Sequence, residues 1–161
     1  MFKEYDKAWA KYQERLSLLP IPISSWEFYQ LPRAEQREFN EIQKHWSQKV
    51  DFAKVKKDKN RIVIVTDCDF KIVFASSNVI QMNGYHYKEI MGNSPKMFQG
   101  SETSLDTTLK IRKAIGNREP FKAIVLNYKK NGETYFCEIE AYPKFNTNGT
   151  FLNYIAFEKS A

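Results

Sequence analysis

Cysteine is nearly missing from this chain of 161 residues: there are two, Cys68 and Cys137, and neither sits in a Cys-x-x-Cys pair or beside a histidine. That count and spacing exclude a disulfide framework and the usual zinc sites. Histidine is as scarce, with His45 and His86 far apart and without a His-Glu-x-x-His context. No apolar run is long enough to cross a bilayer, and the first residues carry Lys3, Glu4, Asp6 and Lys7 where a signal peptide would need an apolar core. The expected address is therefore the reduced cytoplasm, with no membrane partner. There is no internal repeat and no low-complexity tract. The chain also shows no nucleophile–base pair, no paired carboxylates in a pocket context and no phosphate-cradling glycine loop, so it is not expected to be an enzyme.

What is present is aromatic and basic. Aromatic residues make up 15% and the net charge is +6. A chain this rich in rings, and this long, is expected to bury one real core. Residues 1–60 hold twelve basic and nine acidic residues and residues 61–161 hold thirteen and ten, so the excess is even. The densest block is Lys54, Lys56, Lys57, Lys59 and Arg61, interrupted by Asp58. It precedes a strand and belongs to no nucleic-acid-reading module, so a solvated linker is expected there and nucleic acid is not an expected partner.

The hydrophobic period changes near residue 55. Upstream, Phe2, Tyr5, Trp9, Tyr12, Leu16 and Leu19 form a short heptad seam, which must pack on the following domain, the next helix or another subunit. Pro20 and Pro22 end that helix, Ile21 to Tyr29 reads as an extended connector, and Pro32 suits a first helical turn. Phe39, Ile42, Trp46 and Val50 give a second stripe. Downstream, Arg61–Thr66 and Lys71–Phe74 read as a strand pair. A broken helical region comes next, from Ala75 to about Phe98, punctuated by Asn83-Gly84 and Gly92-Asn93. Thr103-Ser-Leu-Asp106 resembles a capping box opening a helix with Leu105, Leu109, Arg112 and Ile115 along one side. Strands over 121–129, 133–143 and 150–158 complete the pattern, the first two joined at Asn131-Gly132. The expected class is α+β: a five-stranded antiparallel sheet with helices on one face, as a domain over 56–161 behind an N-terminal helical extension over 1–55.

Several stretches carry a resemblance: Phe74-Ala-Ser-Ser-Asn78; Gly84-Tyr85 with Glu89-Ile-Met-Gly92; Lys96-Met-Phe-Gln-Gly100 with Glu102-Thr103; Ile111-Arg-Lys-Ala-Ile115; and Asn127-Tyr-Lys-Lys-Asn-Gly132. Over about a hundred residues the chain resembles a PAS domain, and within that superfamily the light-oxygen-voltage (LOV) branch. The resemblance implies a sensory or interaction module whose flanking helices or sheet face engage a second copy or a signalling partner protein. With no output segment following residue 158, a partner or the association state would have to carry the signal.

LOV domains bind a flavin, usually FMN, and join it to a cysteine under light. Where the family pattern has that cysteine, this chain has Pro95, which offers no nucleophile. Of the family's other contacts, the resemblance places Lys96 and Arg112 at the phosphate, Gln99 at the ribityl chain, and Asn127, Cys137 and Glu158 at the ring. The phosphate and ribityl positions are largely kept. Cys137 and Glu158 replace amides that would pair the ring edge, so FMN is expected to be disfavoured, and a different small-molecule ligand or none is the main expectation. A flavin redox or light sensor without the adduct is the alternative. Each residue also has a plainer reading: Lys96 and Arg112 as surface cations, Gln99 and Asn127 as turn and strand-end hydrogen bonders, Cys137 as an inert buried thiol, Glu158 as an outward strand residue, and His86 as a helix cap.

Overall fold

The computed structural model describes residues 24–161, with side-chain surroundings from residue 33 onward. The heptad seam from Phe2 to Leu19 lies outside the described residues. The chain divides into two compact units, Met1–Ala34 and Glu35–Ala161, and the second carries the sheet and its covering helices.

A helix, α1, spans Ser24–Ile42 and passes into a 3-10 turn at Gln43–His45. The single turn α2, Phe52–Val55, comes after it, its first turn capped by Asp51 accepting from the Lys54 amide at 3.0 Å. Strands β1 (Ile62–Thr66) and β2 (Ile72–Ala75) come next. Then come α3 (Val79–Asn83), α4 (Tyr87–Ile90), a 3-10 turn at Pro95–Phe98, and α5 (Leu105–Gly116). Strands β3 (Phe121–Tyr128), β4 (Thr134–Phe145) and β5 (Phe151–Ser160) close the order. The five strands form one antiparallel sheet in the order β2-β1-β5-β4-β3, in agreement with the strand pattern of the sequence.

Strand alternation gives the sheet two apolar faces at β1, all five residues of which are buried. Ile62 and Ile64 join Ile72, Ala75, Val79, Ile90 and Phe98 on the face carrying α3 and α4. Val63 and Val65 join Phe39, Trp46, Phe52, Phe74 and Ile155 on the other. The rings of Phe39 and Phe52 stack with centroids 4.6 Å apart, and Trp46 meets Phe39 edge-on. Trp46 is fixed by its indole N–H, which donates to Asn153 Oδ1 at 2.8 Å, while the Asn153 amide donates to the Thr66 carbonyl at 3.0 Å. The second upstream stripe is therefore real, and it covers β1, β2 and β5 from the side opposite α3 to α5.

Three local expectations need correction. Helix α1 begins at Ser24, so Ser24–Tyr29 is helical rather than an extended connector, and Pro32 sits inside the helix rather than in its first turn. A proline inside a helix removes one ladder donor and crowds the carbonyl four residues back, a local cost within a helix of 19 residues. The cap of α5 is Ser104, whose hydroxyl accepts from the Thr107 amide at 3.3 Å. Thr103 is drawn away because its hydroxyl donates to the Leu126 carbonyl at 2.7 Å. The side of α5 that carries Leu105, Leu109 and Arg112 faces solvent, with Leu105 73% exposed. The half-buried residues of α5 are Thr107, Thr108, Ile111, Ala114 and Ile115, and none is fully buried.

Phe39 is wholly buried between two rings and the sheet. Phe39→Ala is expected to lower unfolding free energy by about 3–5 kcal/mol, read from urea denaturation of the full chain.

Candidate functional site

In an antiparallel ladder, directly paired residues lie on the same face of the sheet. Val125 pairs with Cys137, Asn127 with Tyr135, Ile139 with Glu158, and Ile62 with Glu158. Asn127, Tyr135, Cys137 and Glu158 therefore share one face with Ile62, the face on which α3 lies. The sequence leaves open whether Cys137 and Glu158 point inward. Both do: Cys137 is fully buried and Glu158 is 6% exposed.

The two meet directly, Cys137 Sγ donating to Glu158 Oε2 at 3.6 Å. No lysine, arginine or histidine among the described residues pairs with Glu158, so nothing offsets the loss of water from its carboxyl. Burial pushes its pKa up to about 7, with the thiol hydrogen bond pulling slightly the other way. Burial first, then the neighbouring carboxylate, pushes the Cys137 thiol well above its ordinary range, so it is held as a thiol and is not a nucleophile.

Asn83 completes the cluster. It ends α3 just before Gly84, which takes the left-handed conformation at φ 78° and lets the chain turn. The Asn83 carboxamide oxygen then accepts from the Tyr85 amide at 3.0 Å, and its backbone carbonyl from the Lys130 amide at 2.9 Å. These bonds fix the side chain and leave Asn83 Nδ2 buried without a partner. Asn127 Oδ1 and the Tyr135 hydroxyl are likewise buried and make no hydrogen bond of good geometry, although the hydroxyl stands beside both amides, complementary to each, and within reach of the Cys137 and Glu158 fields. Leaving such groups poorly matched costs about 1–3 kcal/mol each, and their gathering at one place makes this the candidate site. Asn83 stands in the sequence within a turn signal, and Tyr135 in a strand of alternating burial. Neither position announces a pocket until the sheet is folded.

No hydrogen bond among the described residues ties the other candidates to this cluster. Lys96, in the Pro95–Phe98 turn, and Arg112, on α5, are exposed and make no ion pair among the described residues. Gln99 is half-buried, and its backbone N–H closes the 3-10 turn on the Lys96 carbonyl at 3.0 Å. Pro95 occupies the first position of that turn, and the Ser94 hydroxyl accepts from the Lys96 amide. His86 caps α4 as expected, accepting from the Lys88 amide while its own amide donates to Glu89 at 2.8 Å. Cys68 is exposed in the β1–β2 turn. No helix among the described residues is long and apolar enough to cross a membrane.

This combination of sheet order, helices over one face and an inward polar cluster is that of a PAS domain. The sequence profile of the family described as "PAS domain" matches residues 59–159, and the chain belongs to that family. Among curated proteins it is 33% identical over 88 residues to Protein TWIN LOV 1 of Arabidopsis thaliana, covering 54% of this chain and 22% of that one. It is 31% identical over 88 residues to a blue-light-activated histidine kinase of Brucella ovis, covering 55% and 18%. The matched region thus spans about a fifth of those relatives. Among solved structures, a LOV domain studied with a flavin analogue superposes with TM-score 0.63 at 25% identity, covering 69% of this chain and 86% of that one. The light-state LOV domain of the blue-light photoreceptor Aureochrome1 gives 0.60 at 25%, covering 70% and 89%.

The buried carboxyl has a measurable signature. Folded, Glu158 keeps its proton up to about pH 7; unfolded, it ionises near its ordinary 4.5. Between those values the folded state binds more protons, so stability falls as pH rises through the window and levels off above it. The loss is expected to be on the order of 3 kcal/mol. Chemical denaturation across the window should show this slope in the native chain, and Glu158→Gln should remove it.

Proposed function

We propose that this chain is a sensory signal-transduction module that answers to a small ligand held against the sheet. It works by a change of protein association and without cysteinyl–flavin photochemistry. The observation that carries the reading is the set of unmatched polar groups, Asn83, Asn127 and Tyr135, gathered around the Cys137–Glu158 pair on the pocket face. The relatives named for blue light or for LOV support a sensory role. Pro95 stands where the resemblance places the reactive cysteine. The one buried thiol, Cys137, is occupied by Glu158 and lacks the thiolate character that adduct chemistry needs.

The residues fit FMN at one end only. Lys96 and Arg112 supply cations for a phosphate and Gln99 an amide for the ribityl chain. At the ring end, an isoalloxazine presents carbonyl and imide groups, which require amide-type partners when buried. A thiol and a carboxyl already bonded to each other do not supply them. A flavin is therefore not the ligand we assign.

Output is proposed to run through the helical extension over 1–55 or through the sheet. On the face opposite the pocket, Ile124 is 58% and Phe136 56% exposed, diagonal to one another across β3 and β4, an apolar area suited to a second copy or a signalling partner. Illumination tests the photochemical half. The full chain, alone or mixed with FMN, is expected to show no blue-light bleaching of flavin absorbance that recovers in the dark. Such a cycle would overturn the reading.

A further inference from the structure

We infer that the polar end of the pocket recognises a small ligand through a hydrogen-bond-donating edge, an amidinium or an amino-substituted heterocycle, and that Glu158 is the group that selects it. The inference rests on the ligand-sensing reading above and names the class of ligand.

Unmatched polarity is the ground for it. Glu158 offers acceptors alone when ionised, and a single weak thiol donor at 3.6 Å is its one hydrogen-bond partner among the described residues. Asn127 adds a buried oxygen that receives no donor. The donors left over nearby are the Asn83 amide nitrogen and the Tyr135 hydroxyl, and each can serve a ring nitrogen of the ligand. An imide presents acceptor, donor, acceptor along its edge and would set two carbonyls against this carboxyl. An amidinium presents two parallel N–H groups, the arrangement that binds a carboxylate through both oxygens. It also brings the positive charge that this buried site lacks.

There is space beside the cluster. A cleft of about 360 Å³ lies between α3 and the ends of β1 and β5, with Ile62, Gln81, Met82 and Ser160 among its lining. Ile62 is the ladder partner of Glu158, Ser160 that of Cys137, and Met82 precedes Asn83. The cleft is therefore lined by immediate neighbours of the buried groups, and a ligand reaches Glu158 past Ile62 and Met82. Lys59 and Lys159 also line it, with Lys159 paired to Glu138 at 3.1 Å. Asp58 lines it too, paired with Arg61 at 3.9 Å, whereas Glu158 lies behind the lining and has no basic partner among the described residues.

Binding at this site depends on pH. Facing Glu158 are Ile62 from β1, Cys137, Ile139 and Tyr135 from β4, Asn127 from β3 and Asn83 from α3. The titratable ones, Cys137 and Tyr135, both have pKa values raised by burial and stay neutral. Glu138 and Lys159, next in the chain to Cys137 and Glu158, point to the opposite face. Ionisation of Glu158 alone therefore governs binding of a cation near neutrality.

Benzamidine is the probe, measured by calorimetry on the full chain. It is expected to bind about tenfold more tightly at about pH 8 than at about pH 6, from a carboxyl that titrates at about 7. Glu158→Gln keeps the side-chain volume and removes the charge; it is expected to bind at least tenfold more weakly, with no pH slope. FMN is the counter-probe: the native chain should not retain it, whereas Cys137→Asn with Glu158→Gln, which restores two amides, should gain affinity for it. Absence of benzamidine binding, equal binding by Glu158→Gln, or tight FMN retention by the native chain without a light-driven cycle each overturns the ligand assignment while leaving the sensory reading standing. A light-driven flavin cycle defeats both the ligand assignment and the non-photochemical half of that reading.

Discussion

Everything in the described domain depends on β1 being dry on both faces. A five-residue strand with every side chain buried must be covered twice, and the chain supplies the covers from opposite directions. Residues 39–52 bring three aromatic rings to Val63 and Val65, and residues 72–98 bring aliphatic side chains and Phe98 to Ile62 and Ile64. The hydrogen bonds from Trp46 to Asn153 and from Asn153 to the Thr66 carbonyl tie the first cover to the sheet. Neither cover is dispensable, because an open face would expose a row of β-branched side chains to water.

The second cover thins out toward β3, β4 and β5. There α5 fully buries none of its side chains, and Asn127, Cys137 and Glu158 replace the aliphatic residues that β1 presents. The sheet face is thus apolar at one end and polar at the other. The low-dielectric setting that makes Glu158 costly alone is what would make it selective toward the ligand proposed above. Its pairing with Cys137 is a partial settlement, since a thiol is too weak a donor to satisfy a carboxyl.

Much of the fold is legible in the sequence because its signals are local. Alternation in 61–66, the Asn131-Gly132 turn and the turn at Asn83-Gly84 each report on a few adjacent residues, and all appear in the structure. Competition between local and distant bonds is what local signals miss. Thr103 looks like a helix cap until the Leu126 carbonyl, far along the chain, claims its hydroxyl and leaves the cap to Ser104. The stripe through Leu105, Leu109 and Arg112 has helical spacing, yet α5 turns that side to solvent. Periodicity shows that a face exists without showing which face the sheet receives.

The candidate site is legible in the sequence only by resemblance. Asn127, Cys137 and Glu158 lie on three strands, and only strand register brings them to one face. Asn83 and Tyr135, which the sequence does not single out, belong with them because the Gly84 turn aims one and the ladder places the other opposite Asn127. An alignment position reports which contact a residue replaces. It does not report that Cys137 and Glu158, each unsuited to an imide, become partners of one another once both are buried. The polarity of the pocket is a property of that pair, and it emerges only when side-chain chemistry and register are taken together.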